Sequence, residues 1–175
     1  MSCQLTSAIA LDCLDAIGGI KTCYISTDFD YTTITAGATA GITSLSGATG
    51  QFYEFQLPKD TGSITETFNI SQTNGTSFWD QALTINIQHL SSAKRQQLQL
   101  LAYNRASRVV VLDSNDVYWF IGITRGCTIS AGTTVTGVAP GDASQYTITL
   151  SAQEPEMMYQ VQSLSALTGC TIVPA

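Results

Sequence analysis

His89 is the only histidine in the chain, and its side chain is the type that most directly suggests acid–base or nucleophilic chemistry. A Ser/His/Asp or Cys/His arrangement would have to use it. Its neighbours Gln88 and Leu90 lie where a strand is expected to end and a helix to begin, and no Gly-x-Ser-x-Gly motif is present. We therefore predict a surface or junction role for His89, and no enzymatic activity.

Pairs of acidic residues could perform acid–base work if a cleft held them together. The candidate pairs are Asp12 with Asp15, Asp28 with Asp30, and Glu154 with Glu156. Without a cleft, such pairs are turn or solubility residues. Asp113 and Asp116 do not follow the spacing of a calcium-binding loop, and residues 17–20 lack the context of a phosphate-binding loop. The sequence thus predicts no catalytic residues, no metal site and no cofactor.

The cysteines fit reduced, buried thiols better than a disulfide framework or a zinc site. They are five in number, widely spaced and without a C-x-x-C pair: Cys3, Cys13, Cys23, Cys127 and Cys170. Free cysteine behaves as a small apolar residue and is commonly buried.

Charge is scarce in this chain of 175 residues, a length that suits one domain spanning residues 1–175. Charged residues make up 11% of it, against about 25% in an ordinary soluble domain. Such a surface suggests burial against further copies of the chain. The formal net charge is −6 and the basic residues are scattered, so tight binding to nucleic acid is not expected. Residues 1–10 show no secretory signal, and no window is apolar enough for a membrane anchor.

Alternation of apolar and polar residues predicts β-strands near residues 51–57, 63–70, 83–87 and 146–152. The second and third of these form a candidate long hairpin, joined by residues 71–81. Its polar face holds almost no charge and consists of Thr65, Thr67, Asn69, Thr84 and Asn86. This face could line a lumen, meet a neighbouring subunit or be simply solvated. Glu66 falls on the opposite, apolar face.

A second hairpin is predicted from residues 108–112 and 117–123, which are apolar on both faces and should be covered on each side. A helix should begin at Ser91 or Ser92 and end near residue 105. Its Leu98, Leu101, Ala102 and Arg105 should face a sheet. Weaker strand patterns occupy residues 23–27, 34–45 and 127–135. Extended loops are predicted at about 36–50 and 130–142, where small polar residues and glycine are frequent.

Several stretches together resemble virion structural proteins of phages that infect Bacteroidota, and among these a tail-tube protein. The stretches are residues 11–13, 18–21, 52–55, 63–70, 90–95, 146–150 and 153–156. The resemblance implies a mainly β fold, an antiparallel β-sandwich or partial barrel with one flanking α-helix at about residues 92–105. It also implies rings, commonly hexameric, whose inner sheets join into one channel-lining barrel and which stack.

The expected function is therefore that of a tail-tube subunit, assembled in the bacterial cytoplasm and located in the virion tail. Its partners would be further copies of itself and other virion tail proteins, with DNA only as passing cargo. The five polar residues of the long hairpin are the candidates for facing the channel. Two alternatives remain open: another virion component, such as a connector ring, head-fibre or capsid-decorating protein, and a small carbohydrate-binding or adhesion module. Trp79 and Trp119 are the tryptophans available to such a module.

Overall fold

Two β-sheets contain the strands of the protein, and the computed structural model describes residues 8–11, 13–36, 41–167 and 169–175. The larger sheet contains, in order of hydrogen-bonded neighbours, β12 (Thr171–Val173), β4 (Gln51–Gln56), β1 (Ile20–Ser26), β7 (Arg108–Asp113), β8 (Tyr118–Ile121), β11 (Tyr159–Val161), β3 (Ile42–Ser46) and β2 (Thr33–Ala36). The smaller sheet contains β5 (Ser63–Ser71), β6 (Thr76–Gln88), β10 (Gln145–Glu154) and β9 (Thr128–Val135). One α-helix, α1 (Ser92–Tyr103), flanks them. The predicted mainly β sandwich with one flanking helix is confirmed.

The sheets pack face to face around a buried apolar core. From the larger sheet, Cys23, Ile25 and Val109 point into it, and Leu83 and Leu150 meet them from the smaller sheet. A second buried cluster covers the opposite face of the larger sheet and includes side chains from β3 and the 3₁₀ turn at Leu164–Ala166. The larger sheet is therefore buried on both faces, whereas the smaller sheet is covered on one.

The β7–β8 hairpin is covered on both faces, as its sequence predicts. Val109 and Val111 lie in the core between the sheets, while Val110 and Phe120 lie in the second cluster. Its turn depends on Asp113, whose Oδ1 accepts the backbone N–H of residue 115 at 2.8 Å and that of residue 117 at 2.9 Å. Partial burial would raise the pKa of the Asp113 carboxyl, but these bonds and one from Trp119 lower it below its ordinary value.

Helix α1 begins after Ser91, whose hydroxyl oxygen accepts the backbone N–H of Lys94 at 3.3 Å. It ends before Asn104, whose side-chain oxygen accepts the N–H of residue 106 at 2.8 Å and turns the chain into β7. The predicted contact face is right for Leu98 and Leu101, which reach the core. It is wrong for Ala102, which is exposed, and for Arg105, which lies exposed beyond the helix end.

The two predicted loops are shorter than their composition suggests. Strand β3 lies inside residues 36–50, because Ile42 and Leu45 are fully buried and fix a strand among small polar residues. Residues 37–40 fall outside the described part of the chain. Strand β9 occupies residues 128–135, so the second loop starts at residue 136; there Asp142 accepts the backbone N–H groups of Val138 and Ala139. The weaker strand pattern at residues 127–135 is therefore confirmed and the loop prediction is wrong for residues 130–135, which pair with β10.

The link of the long hairpin is also shorter than the predicted residues 71–81. Strands β5 and β6 are joined by residues 72–75, with Gly75 in the left-handed region at φ 63°. Trp79 belongs to β6, where it lies opposite Phe68 and stacks on that ring with centroids 4.3 Å apart. Cross-strand aromatic packing therefore extends the hairpin beyond what alternation alone indicates.

Candidate functional site

The five polar residues singled out from the sequence lie on one face of the smaller sheet, the face turned away from the core. Register places Ser63 opposite Thr84 and Thr65 opposite residue 82, so Thr65, Thr67 and Asn69 share the face of Thr84 and Asn86. Thr65 and Thr67 are exposed, and the other three are half-buried. We call this surface the polar face. That it lines a lumen stays a prediction.

Strands β9 and β10 extend the polar face with residues that were not predicted to lie on it. Thr147 lies opposite Asn86, Thr149 opposite Thr84, and Thr133 opposite Thr147 on the next strand. The alternation of hydroxyl residues along residues 145–151 was a visible signal. The position of strand β10 beside β6 could not be predicted, because that pairing joins segments about 60 residues apart.

Hydrogen bonds run across the polar face from strand to strand. The Thr84 and Thr149 hydroxyl oxygens are 3.1 Å apart, and the Thr147 hydroxyl donates to Asn86 Oδ1 at 2.7 Å. Ser130 donates its hydroxyl to the Thr149 carbonyl at 3.2 Å. Neutral donors and acceptors thus satisfy one another, which makes the face ordered and polar without adding charge.

Charge on this side of the sheet is confined to one end. Asp80, which was not predicted as a site residue, lies between Thr67 and Gln153 in register. It lines a cleft of about 520 Å³ with Arg105 and Arg125, both exposed. The polar face is therefore close to neutral over the centre of the sheet and carries both signs of charge at its rim.

Both edges of the smaller sheet are open in the described part of the chain. Strand β5 contributes nine residues to one edge and β9 eight to the other, and each pairs with a strand on one side only. Neither strand contains lysine, arginine or proline, and Glu66 is the single charged residue in the two. Monomeric proteins usually protect such edges with charge, proline or a covering element, because an open edge pairs with another chain.

Glu66 lies on the core side, as predicted, and belongs to a buried polar network. Gln81, which is 1% exposed, donates to Glu66 Oε1 at 3.0 Å. Its own Oε1 accepts the backbone N–H of Gly122 at 3.0 Å. Glu66 Oε1 also accepts the N–H of Met158 at 2.8 Å. The network ties the long hairpin to the larger sheet.

Glu154 is buried and structural, which corrects its interpretation as one of a pair of turn or solubility acids. It is 2% exposed. Its carboxylate accepts the backbone N–H groups of Thr124, Arg125 and Gly126 at 3.2, 2.8 and 3.2 Å. Three converging amide groups compensate a buried carboxylate. The sequence offered no sign of this, since the amides come from a turn 28 to 30 residues away.

Two further candidates for chemistry, His89 and Asp28, have ordinary structural roles, and Asp12 lies outside the described residues. His89 is exposed at the junction of β6 and α1, with φ 65°, and its backbone N–H bonds to the carbonyl of residue 144. Asp28 accepts the Ser26 hydroxyl and the N–H of Gln51. Among the described residues, no three His, Cys, Asp or Glu side chains are grouped so that they could hold a metal ion.

The cysteines divide into two classes, which corrects the expectation of uniform burial. Cys23 and Cys127 are fully buried, and burial raises the pKa of each thiol to about 12. Cys13 is exposed and Cys170 is half-buried. Cys3 lies outside the described residues.

We expect iodoacetamide at about pH 8 to modify Cys13 rapidly in the isolated native subunit, because its side chain is exposed. Cys23 and Cys127 should react only after unfolding in denaturant, since they are buried and remain protonated. Peptide mass spectrometry of each cysteine against time measures this. Native modification of Cys23 at the rate of Cys13 would contradict the burial.

Comparison with known proteins yields no relative: no protein-family model, curated protein or solved structure matches the chain. Within the described residues, none of the helical segments has the length and apolar character required to cross a bilayer.

Proposed function

We propose that this protein is a phage tail-tube subunit, whose copies join through the smaller sheet into rings that stack around a channel. The observation that carries the proposal is a four-stranded sheet with two unpaired, almost uncharged edges and a neutral hydroxyl-rich face. The sequence resemblance to tail-tube proteins points to the same function. DNA would pass along the polar face without a binding site.

The direction of the strands suits such a ring. All neighbours in the smaller sheet are antiparallel, so the edge strands β5 and β9 run in opposite directions. Rotation about an axis would set β9 of one copy beside β5 of the next as another antiparallel pair. The sheet would then continue from copy to copy with the geometry that it has inside the subunit.

The size of the channel follows from the strand spacing. Six copies of a four-stranded sheet bring roughly 24 strands, and at about 4.8 Å each these would form a cylinder roughly 37 Å across at the backbone. Strand tilt would widen it further. A DNA duplex fits that opening, and neutral side chains with an overall acidic protein give its phosphates little to adhere to.

A carbohydrate-binding module is less well supported by the aromatic side chains. Trp79 has Phe68 stacked against its ring, and Trp119 donates its indole N–H to Asp113 Oδ2 at 3.1 Å within the β7–β8 hairpin. A sugar platform requires an open aromatic face beside polar groups. Neither tryptophan offers this arrangement.

Negative-stain electron microscopy over a concentration series, with size-exclusion chromatography, tests the function. We expect hollow rings or tubes with a central channel as concentration rises. Single closed rings that never stack would favour a connector instead, and a monomer at every concentration would overturn the proposal.

A further inference from the structure

The N-terminal arm, defined as residues 8–11 and 13–17, displays apolar side chains that are exposed over almost their whole surface. Ile9, Leu11 and Leu14 are 99%, 101% and 108% exposed. Single exposed apolar residues are common, but three in one short segment are typical of a surface that meets a partner.

The base of the arm is fixed by Asn115 in the β7–β8 turn. The Ile17 N–H donates to Asn115 Oδ1 at 2.8 Å, and Asn115 Nδ2 donates to the Ile17 carbonyl at 2.9 Å. In the larger sheet β7 lies on one side of β1 and β4 on the other. The base of the arm therefore lies on the β7 side of β1. The nine residues that precede Ile17 in the arm reach about 30 Å when extended, far enough to leave the subunit.

An apolar groove lies on the other side of β1, between helix α1 and strand β4. Its volume is about 890 Å³, and Phe55, Leu57, Ile87, Leu98 and Leu101 are among the residues that line it. The groove exists because Leu101 is the single buried residue of α1, so the helix touches the sheet along a narrow line. A cleft of this volume accommodates several side chains.

We propose that the arm of one copy docks in this groove of an adjacent copy, with Leu11 and Leu14 as its apolar anchors. The proposal rests on the proposed self-assembly, which supplies the adjacent copy. The occupant is a second copy because Ile9, Leu11 and Leu14 are almost fully exposed within a single subunit, and none of the residues that line the groove belongs to the subunit's own arm. Docking would cover the exposed apolar side chains of the arm and fill the space beside α1 in one step.

Cysteine cross-linking tests the docking, since Cys13 already lies between the two anchors. Gln97 and Gln96 are adjacent exposed helix residues, and Gln97 lines the groove whereas Gln96 is not among its lining residues. Under mild oxidation of concentrated protein, we expect Gln97→Cys to give dimers in which peptide mass spectrometry finds a disulfide between residues 13 and 97 of different copies. Dimers linked through Cys13 of both copies are counted separately. The matched variant Gln96→Cys should give at least tenfold less of the corresponding disulfide, and adding Cys13→Ser to Gln97→Cys should remove the product. Unchanged circular dichroism of both variants would establish that they fold.

Electron microscopy of the same samples separates this inference from the proposed function. Rings without dimers linked between residues 13 and 97 would overturn arm docking and leave the tube. Dimers with this link but without rings would support docking and overturn the tube. Monomers that neither assemble nor cross-link would overturn both.

Discussion

A single proline in strand β9 is expected to abolish ring assembly while the subunit stays folded. Successive residues of an edge strand direct their backbone N–H groups alternately towards the neighbouring strand and away from it. Thr133 and Thr134 are opposite Thr147 and Tyr146 in a regular part of the β9–β10 pairing. One of the two N–H groups therefore bonds to β10, and the other is free for a second copy. Proline at the free position removes a donor that the subunit itself does not use.

Thr133→Pro and Thr134→Pro are thus controls for each other. At the position whose N–H group is free, we expect proline to give a monomer with near wild-type melting temperature that forms no rings at any concentration. At the position whose N–H group bonds to β10, we expect a loss of about 1 kcal/mol or more in the free energy of unfolding, because a backbone hydrogen bond between β9 and β10 is lost. Size-exclusion chromatography and thermal unfolding measure the two effects. Normal rings from both variants would mean that β9 is not a joint between copies.

Glu154→Ala is expected to lower the free energy of unfolding by about 3 kcal/mol, because it leaves N–H groups of the 124–126 turn without an acceptor. Glu154→Gln should lose less free energy of unfolding. Its side-chain oxygen still accepts a hydrogen bond, whereas its new NH₂ group faces the N–H donors of the turn. Denaturant unfolding of the assembly-blocked proline variant gives these values without interference from oligomers.

Gln153→Ala is the matched control for this prediction. Gln153 is the exposed neighbour of Glu154 on the same strand, and its replacement should change the free energy of unfolding by less than about 0.5 kcal/mol. Equal losses of free energy of unfolding at both positions would show that the buried carboxylate contributes no stability of its own.

Local periodicity was sufficient for much of this fold. The alternation along residues 63–70 and 83–87 placed Thr65 and Thr84 on one face and Glu66 on the other, and the register confirms that sharing of faces. The cap at Ser91 was visible for a similar reason, since a helix start depends on nearby residues. Each of these features is decided within a few positions of the chain.

Features that depend on distant pairing were not predictable. Strand β12 pairs in parallel with β4, which lies about 120 residues earlier, and nothing in residues 171–173 indicates that partner. Glu154 resembles a surface acid until the turn at residues 124–126 is folded against it. The strands β3 and β9 were indicated only by the weaker patterns at residues 34–45 and 127–135, because small polar residues are compatible with either loop or strand and tertiary pairing decides between them.

The two open edges of the smaller sheet belong to different strands that run in opposite directions, and this gives an assembled ring two different rims. A joint between β9 of one copy and β5 of the next brings together two different surfaces, so the contact is heterologous and has no twofold axis. A ring closed by such joints has chemically distinct upper and lower rims. A stack of such rings would be a polar filament, whose two ends need different terminating proteins and from which growth can proceed in one direction.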